Sequence, residues 1–421
     1  MRRSIRALWL AALGMTLAVT IAACGSDSDS GDSGDKSGPQ VVSTTPPKSG
    51  CGSYDLPDPK DASGLLDALP KDVQATYDGY PYEVQKSAWA DWKPKGGPPY
   101  DIGVQYPQVN NDFTEKSSRF IVEQLRKQPD IGNVKFQSTG DTLDVAQQLQ
   151  QFQSLVRSKP DIIITLELQT DAFTKPIEDA AKAGIPVIVL FDSIPSKSAV
   201  NVAYNTVEVP ARVGSSVARL AGGKGNAMMV HALPGTAPDV NAFKGFDAVL
   251  KNCPDIKQAG SIYGNFVPNA AKSEALKFLA SHPEKIDVVF ETAGMTSGVI
   301  SAFESLGRPM PAFGDVSASK ASLAYWRDNI DDYKAAGAIL PVQSLANAVT
   351  QITMKMLAGD GVKMTEILGK FPLVTNDNLD QYVEDDWTKS TPGDPEGGPD
   401  DFLSPAEVDQ FFNKAETQSS K

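Results

Sequence analysis

DIIITLEL at 161–168 and GIPVIVLFD at 184–192 decide the fold. Each is a strand-length run almost unbroken in Ile, Val and Leu, without the alternation of a half-exposed strand. Such strands belong in a parallel sheet covered on both faces. Between the two runs, 171–183 carries helical periodicity. The segment therefore reads as strand, crossover helix, strand, with the right-handed connection such units adopt.

The alternation extends in both directions. Strands are predicted at 101–106, 133–137, 161–168 and 185–191, with helices at 113–127, 143–157 and 171–183. The pattern then restarts, with strands at 201–204, 226–233, 260–263, 286–291 and 311–313. Helices at 208–220, 239–250, 269–280, 296–306 and 320–328 lie between or after them. A strand at 335–340, a helix at 342–357 and a strand at 371–374 follow. Two successive sets predict an α/β fold of two doubly wound parallel-sheet lobes joined by hinge crossovers. The first lobe is expected from 100–204 and 340–360, the second from 205–339 and 361–375. Hinges are expected near 204–205, 339–340 and 357–362.

The flanks read differently. Arg2, Arg3 and Arg6 precede an apolar run that ends in Ile21-Ala22-Ala23-Cys24, the pattern of a signal peptide whose end resembles a bacterial lipobox. Residues 1–23 are thus expected to be removed and Cys24 lipidated, anchoring the chain to the extracytoplasmic face of the membrane. The stretch 24–50 is poor in large apolar residues and reads as a flexible tether. An aromatic-rich strap is expected at 51–99, packed on the main body, and an acidic tail at 376–421 with one short helix at 405–412. Setting Cys24 aside leaves Cys51 and Cys253, an even pair in an oxidising compartment, expected to form a disulfide.

Composition narrows the function classes. The chain of 421 residues carries 39 basic and 52 acidic side chains, a net charge of −13, with no basic block. A nucleic-acid partner would require a basic face. Only His231 and His282 are available for imidazole chemistry. No GxGxxG follows the first strand and no GxSxG is present; AGGKGN at 221–226 precedes a strand, whereas a phosphate cradle follows one. No catalytic residue, cofactor or metal site is expected.

In open α/β sheets, ligands bind beyond the carboxyl ends of the strands. The residues there are Asn110, Asn111 and Phe113 after the first strand, Asp192 after IPVIVLF, and then Phe266, Thr292 and Asp315. Carboxylates and amides exchange hydrogen bonds with hydroxyl groups, and a phenyl face covers C–H surface. Singly, each such Asn or Asp is also an ordinary helix cap.

With these residues the chain resembles the type I periplasmic binding proteins, particularly the ribose-binding-like sugar receptors of ABC importers. YPQVNNDF at 106–113, GIPVIVLFDS from Gly184, GTAPDVNAFKGF from Gly235, GNFVP, FGD at 313–315 and LPVQ at 340–343 carry the resemblance in order. It implies that Asn111, Phe113, Asp192, Phe266 and Asp315 line a cleft; Asn110, Asn241 and Thr292 join them as candidates. Three positions depart from the sugar receptors: Ala242 in place of Arg, Thr292 or Ala293 in place of Asn, and Ile339 in place of Gln. The resemblance further implies a monomer that closes two lobes on a sugar, polyol or related small molecule and delivers it to an ABC permease. The alternative is a receptor presenting its ligand to a membrane sensor kinase. The free cleft is expected to be solvated, so that Asp→Asn at 192 or 315 would leave the unliganded stability nearly unchanged.

Overall fold

Strands apolar on both faces pair into two six-stranded sheets in a computed structural model of the chain. The structure describes residues 43–109, 111–142, 144–167, 169–398 and 402–414, which fall in one compact unit. Ten strands form the body: β1 (Tyr100–Tyr106), β2 (Ile131–Ser138), β3 (Ile162–Leu166), β4 (Val187–Leu190), β5 (Ala199–Tyr204), β6 (Lys224–His231), β7 (Asp255–Tyr263), β8 (Val288–Glu291), β9 (Ala312–Val316) and β10 (Ala335–Ala338). Short strands β11 (Gly361–Val362), β12 (Glu366–Gly369), β13 (Leu373–Val374) and β14 (Phe412–Asn413) follow.

The first sheet is wholly parallel in the order β12-β5-β4-β3-β1-β2. The second, β13-β10-β9-β8-β6-β7, is parallel except for β13, which runs antiparallel to β10. Both place their first strand between their second and third, so each has a switch point at its carboxyl edge. The helices are α1 (Lys71–Gln74), α2 (Asp112–Arg126), α3 (Val145–Ser158), α4 (Thr170–Lys182), α5 (Glu208–Leu220), α6 (Ala237–Leu250), α7 (Pro268–Ser281), α8 (Thr296–Ser305), α9 (Lys320–Asp328), α10 (Val342–Leu357) and α11 (Pro405–Gln410). α10 packs beside α2 of the first set, while α5 packs on β9 and β10 of the second.

The chain crosses between the sheets after Tyr204, after Ala338, and a third time between Gly369 and Leu373. The third crossing differs from the expected grouping of 361–375 with the second lobe. Glu366–Gly369 pairs in parallel with Asn201–Tyr204 of the first sheet, and only Leu373–Val374 reaches the second. EILG is a four-residue strand headed by a carboxylate, which hid it from an apolar pattern search. Tertiary partners tolerate that carboxylate: Tyr80 Oη, Ser193 Oγ and Asn201 Nδ2 all donate to Glu366.

Residues flanking the two sets tie both sheets together. Cys51 and Cys253 are joined by a disulfide, which pins the start of the strap beside the second set just after α6. Ser215 of α5 donates to Gly52 O, and Asn252 to Ser53 O. The strap then crosses to the first sheet, where Tyr77 and Tyr80 are buried against β12. Its 85–87 segment runs beside 363–365 through backbone hydrogen bonds, covering the edge that an unpaired strand would expose. The tail makes a similar journey. Leu379, Tyr382 and Trp387 pack in the second core, whereas Phe402, Phe411 and β14, paired with β11, pack on the first. No helix among the described residues is long and apolar enough to cross a membrane.

Candidate functional site

Strain marks the carboxyl edges of both sheets. Among the described residues, five non-glycine residues have positive φ, and four of them follow a strand there: Phe191 (67°) after β4, Asn265 (54°) and Phe266 (62°) after β7, and Ser317 (68°) after β9. Such conformations persist only where surrounding contacts enforce them, and they gather at ligand sites. Phe191 meets Phe113 edge-to-face at 4.6 Å and Tyr204 at 5.9 Å, and Tyr204 stacks on Phe371 at 4.0 Å. An aromatic wall thus runs from the start of α2 to the third crossover.

Asp192 follows that wall and is 4% exposed. Its Oδ1 accepts from Tyr82 Oη and from Ser193 N–H, both at 2.8 Å. Oδ2 is buried with no hydrogen-bond partner. Burial pushes the carboxyl up to about 6, against the pull of the Tyr82 and Ser193 hydrogen bonds. In the second sheet Asp315, 2% exposed, sits in register beside Glu291. Asp315 Oδ1 likewise has no partner, and burial raises this carboxyl to about 6. Glu291 is raised further, by burial and then by the Asp315 charge, although Ala293 N–H, Met295 N–H and Thr296 Oγ1 all donate to it. Both aspartates are buried, not solvated, which corrects the expectation that their neutralisation would leave the unliganded protein unchanged.

The other candidates divide. Asn241 is buried, donates to Thr206 Oγ1 at 3.1 Å and to Tyr82 Oη at 3.5 Å, and accepts from Lys244. Asn111 caps α2, its Oδ1 accepting from Thr114 N–H at 2.9 Å. Thr292 directs its hydroxyl to Val230 O. Phe113 and Phe266 are half-buried. Asn110 and Cys24 lie outside the described residues. The structure therefore gathers Asp192 and Asn241 around one strap residue and sets Asp315 with Glu291. At the departures from the sugar receptors, Ala242 and Ile339 are buried apolar groups.

Sequence reasoning missed three residues. Glu167, at the end of β3, is 1% exposed; its Oε1 accepts from Thr165 Oγ1, its Oε2 has no partner, and burial raises it well above the ordinary value. A glutamate closing the apolar run DIIITLEL was the available signal. Glu291 likewise closes VVFE. Tyr82 carried no signal, because it reaches Asp192 across 110 residues of sequence.

Other features point away from chemistry. His231, the last residue of β6, stacks between Phe243 and Tyr263, with Nδ1 3.0 Å from Asp239. No cluster of three or more His, Cys, Asp or Glu among the described residues could hold a metal ion. A groove of about 780 Å³ lies beside the third crossover, but its charged walls pair internally, Arg212 with Glu208 and Lys370 with Glu407. Among the described residues, Glu167, Asp192 and Asp315 are buried carboxylates at strand ends that each keep one oxygen without a partner.

Residues 102–361 match the periplasmic binding protein domain. A xylitol-binding protein of Mycolicibacterium smegmatis is 27% identical over 292 residues, 67% of this chain and 79% of that protein. An ABC transporter solute-binding protein of Thermobispora bispora superposes with TM-score 0.62 at 21% identity, covering 71% of this chain and 90% of its own. One from Bacillus halodurans with bound myo-inositol gives 0.61 at 18%, covering 68% and 98%. Paired parallel sheets, strained strand ends and this match over more than half the chain lead to one conclusion: the protein belongs to the periplasmic binding protein family, whose members bind solutes and are not enzymes.

Proposed function

We propose that the chain is a lipid-anchored, extracytoplasmic receptor that captures a sugar-like or polyol solute between its two lobes and delivers it to an ABC import permease. The observation that carries this reading is a pair of buried carboxylates, Asp192 and Asp315, on different sheets, each with one oxygen lacking a partner. An unmet buried acceptor costs about 1–3 kcal/mol. Ligand hydroxyls would meet it, and Phe113 and Phe266 would cover the C–H faces. The Ala242 and Ile339 positions supply no polar partner, which disfavours a ribose-like ligand needing hydrogen bonds all round. The relatives' own ligands, xylitol and myo-inositol, are consistent with a polyol. Lobe closure by bending at the three crossovers would select the form the permease recognises.

A thermal-shift panel of xylitol, other alditols, myo-inositol, pentoses, hexoses and nucleosides tests the ligand class. Stabilisation by at least one polyol or sugar is expected; a flat response to the whole panel sinks the reading. Anchoring is tested separately with Cys24→Ala, which should abolish lipid labelling and release the protein from membranes. Unchanged labelling and retention would refute the anchor.

A further inference from the structure

Tyr82 lies outside the stretch that matches the family, on the strap, yet its phenol is held among two of the candidate ligand residues. Tyr77 donates to Glu366 O and accepts from Leu368 N–H, while Tyr80 donates to Glu366 Oε2. Both rings are buried, so the strap is anchored at this point. Tyr82 packs edge-to-face on Tyr80 at 5.4 Å and remains half-buried. Its hydroxyl donates to Asp192 Oδ1 at 2.8 Å and lies 3.5 Å from Asn241 Nδ2. Asn241 belongs to the second set of elements and Asp192 to the first. Asn241 also donates to Thr206, in the crossover that follows β5.

A phenol has one proton to donate, and here Asp192 receives it. This fixes the carboxylate's orientation and occupies one of its oxygens, leaving Oδ2 as the acceptor without a partner. A free carboxylate could take a neighbouring pair of ligand hydroxyls, whereas one already engaged on Oδ1 presents a single acceptor. We propose that Tyr82 is a specificity-determining residue of the ligand site, supplied by the strap, which orients Asp192 and restricts it to a single acceptor oxygen, Oδ2, toward the hydroxyls of a polyol or sugar. This rests on the functional reading above.

The groups around Asp192 come from several elements: Tyr82 and Tyr80 of the strap, Asp171 of α4 and Tyr204 of β5, with Glu366 of β12 one step away on Ser193 and Lys244 of α6 one step away on Asn241. Asp171 pushes the carboxyl up, and the Tyr82 hydrogen bond opposes burial by favouring the ionised form. Tyr82→Phe keeps the ring on Tyr80 and removes the phenol's hydrogen bond to Asp192 together with the longer one from Asn241.

The test measures dissociation constants for xylitol, myo-inositol and the other ligands of the panel between pH 5 and 8, on the full chain. Wild type, Tyr82→Phe, Tyr80→Phe and Asp192→Asn are compared. In Tyr82→Phe, affinity for the best panel ligand should fall about 10-fold. The ranking of panel ligands should change, and the pH at which binding is half lost should rise. Tyr80→Phe, which removes a buried strap hydrogen bond away from Asp192, should lower the melting temperature without changing the ranking. Wild-type affinity, ranking and pH midpoint in Tyr82→Phe, alongside weakened binding in Asp192→Asn, would overturn the proposal and leave the functional reading intact. Equal changes in ranking for both tyrosine variants would overturn it too, because the strap as a whole would then be responsible. A wild type that binds nothing in the panel fails the functional reading itself.

Discussion

Asp192 and Asp315 are buried carboxyls with no cation paired to them among the described residues, and burial raises each to about 6. Glu366, held by three donors, is raised to about 7. Their folded values lie above the unfolded ones, so the folded state binds protons that the unfolded state has already lost. The stability they contribute is fully present below about pH 4 and is lost as pH rises through 6–7. Ligand binding should run the other way, because the ionised carboxylate is the better acceptor. Asp192→Asn and Asp315→Asn should therefore weaken binding about 10- to 150-fold at pH 7.5. The same variants should raise the unliganded stability there, by an amount on the order of 2–3 kcal/mol for Asp192. Calorimetry and denaturant melts at pH 5 and 7.5 read both effects; unchanged affinity in both variants would place the ligand elsewhere. The sequence made both aspartates legible because they lie at the carboxyl ends of apolar strands, Asp192 just after β4 and Asp315 as the penultimate residue of β9. It could not show that they are buried, since burial depends on tertiary neighbours such as Tyr82 at Asp192 and Glu291 at Asp315.

At the scale of elements, the periodicities were enough for the body of the fold. Helices α5, α9 and α10 occupy the predicted residues, and β8 and β10 differ from prediction only at one end. The close approach of α7 and α8 depends on Gly298, where an added Cβ would lie 1.9 Å from Pro268 O. Gly298→Ala must separate the helices or shift their backbones, at a cost of roughly 3 kcal/mol or more. A fall in denaturant midpoint of less than a few tenths molar would contradict this packing. β12 escaped prediction because four residues headed by Glu have no intrinsic strand signal. Pairing with β5 and the hydroxyls of Tyr80 and Ser193 create the environment that makes Glu366 acceptable.

Over the whole molecule, the two extensions act as ties between the sheets. The strap begins at the second set through the disulfide and ends on the first, and the tail repeats that path. Between its ends, Asp394 N–H donates to Asp112 of α2, while Gly393 O accepts from Lys320 N–H of α9. The Cys51–Cys253 bridge closes a loop of 202 residues. Chain-entropy arguments put the effect of so long a loop at about 5 kcal/mol. Reduction, or Cys51→Ser with Cys253→Ser, should lower the unfolding midpoint and expose the 51–56 region to proteolysis. An unchanged midpoint would mean that the strap's hydrogen bonds to α5 and Asn252 hold it unaided.

The sequence by itself determined the body of the sheets, the order of their helices and the strand ends at which ligand residues gather. Each of these follows from local patterns, because a strand buried on both faces must be apolar wherever its partners lie. Only the tertiary structure decided that Tyr82 meets Asp192, that β12 joins the first sheet, and that the tail spans both halves. These contacts join residues far apart in sequence, 110 positions for Tyr82 and Asp192 and 165 for Asn201 and Glu366, through single hydrogen bonds and short strands. No periodicity encodes such contacts; they exist because the folded body brings a donor within reach of a buried acceptor that water cannot satisfy.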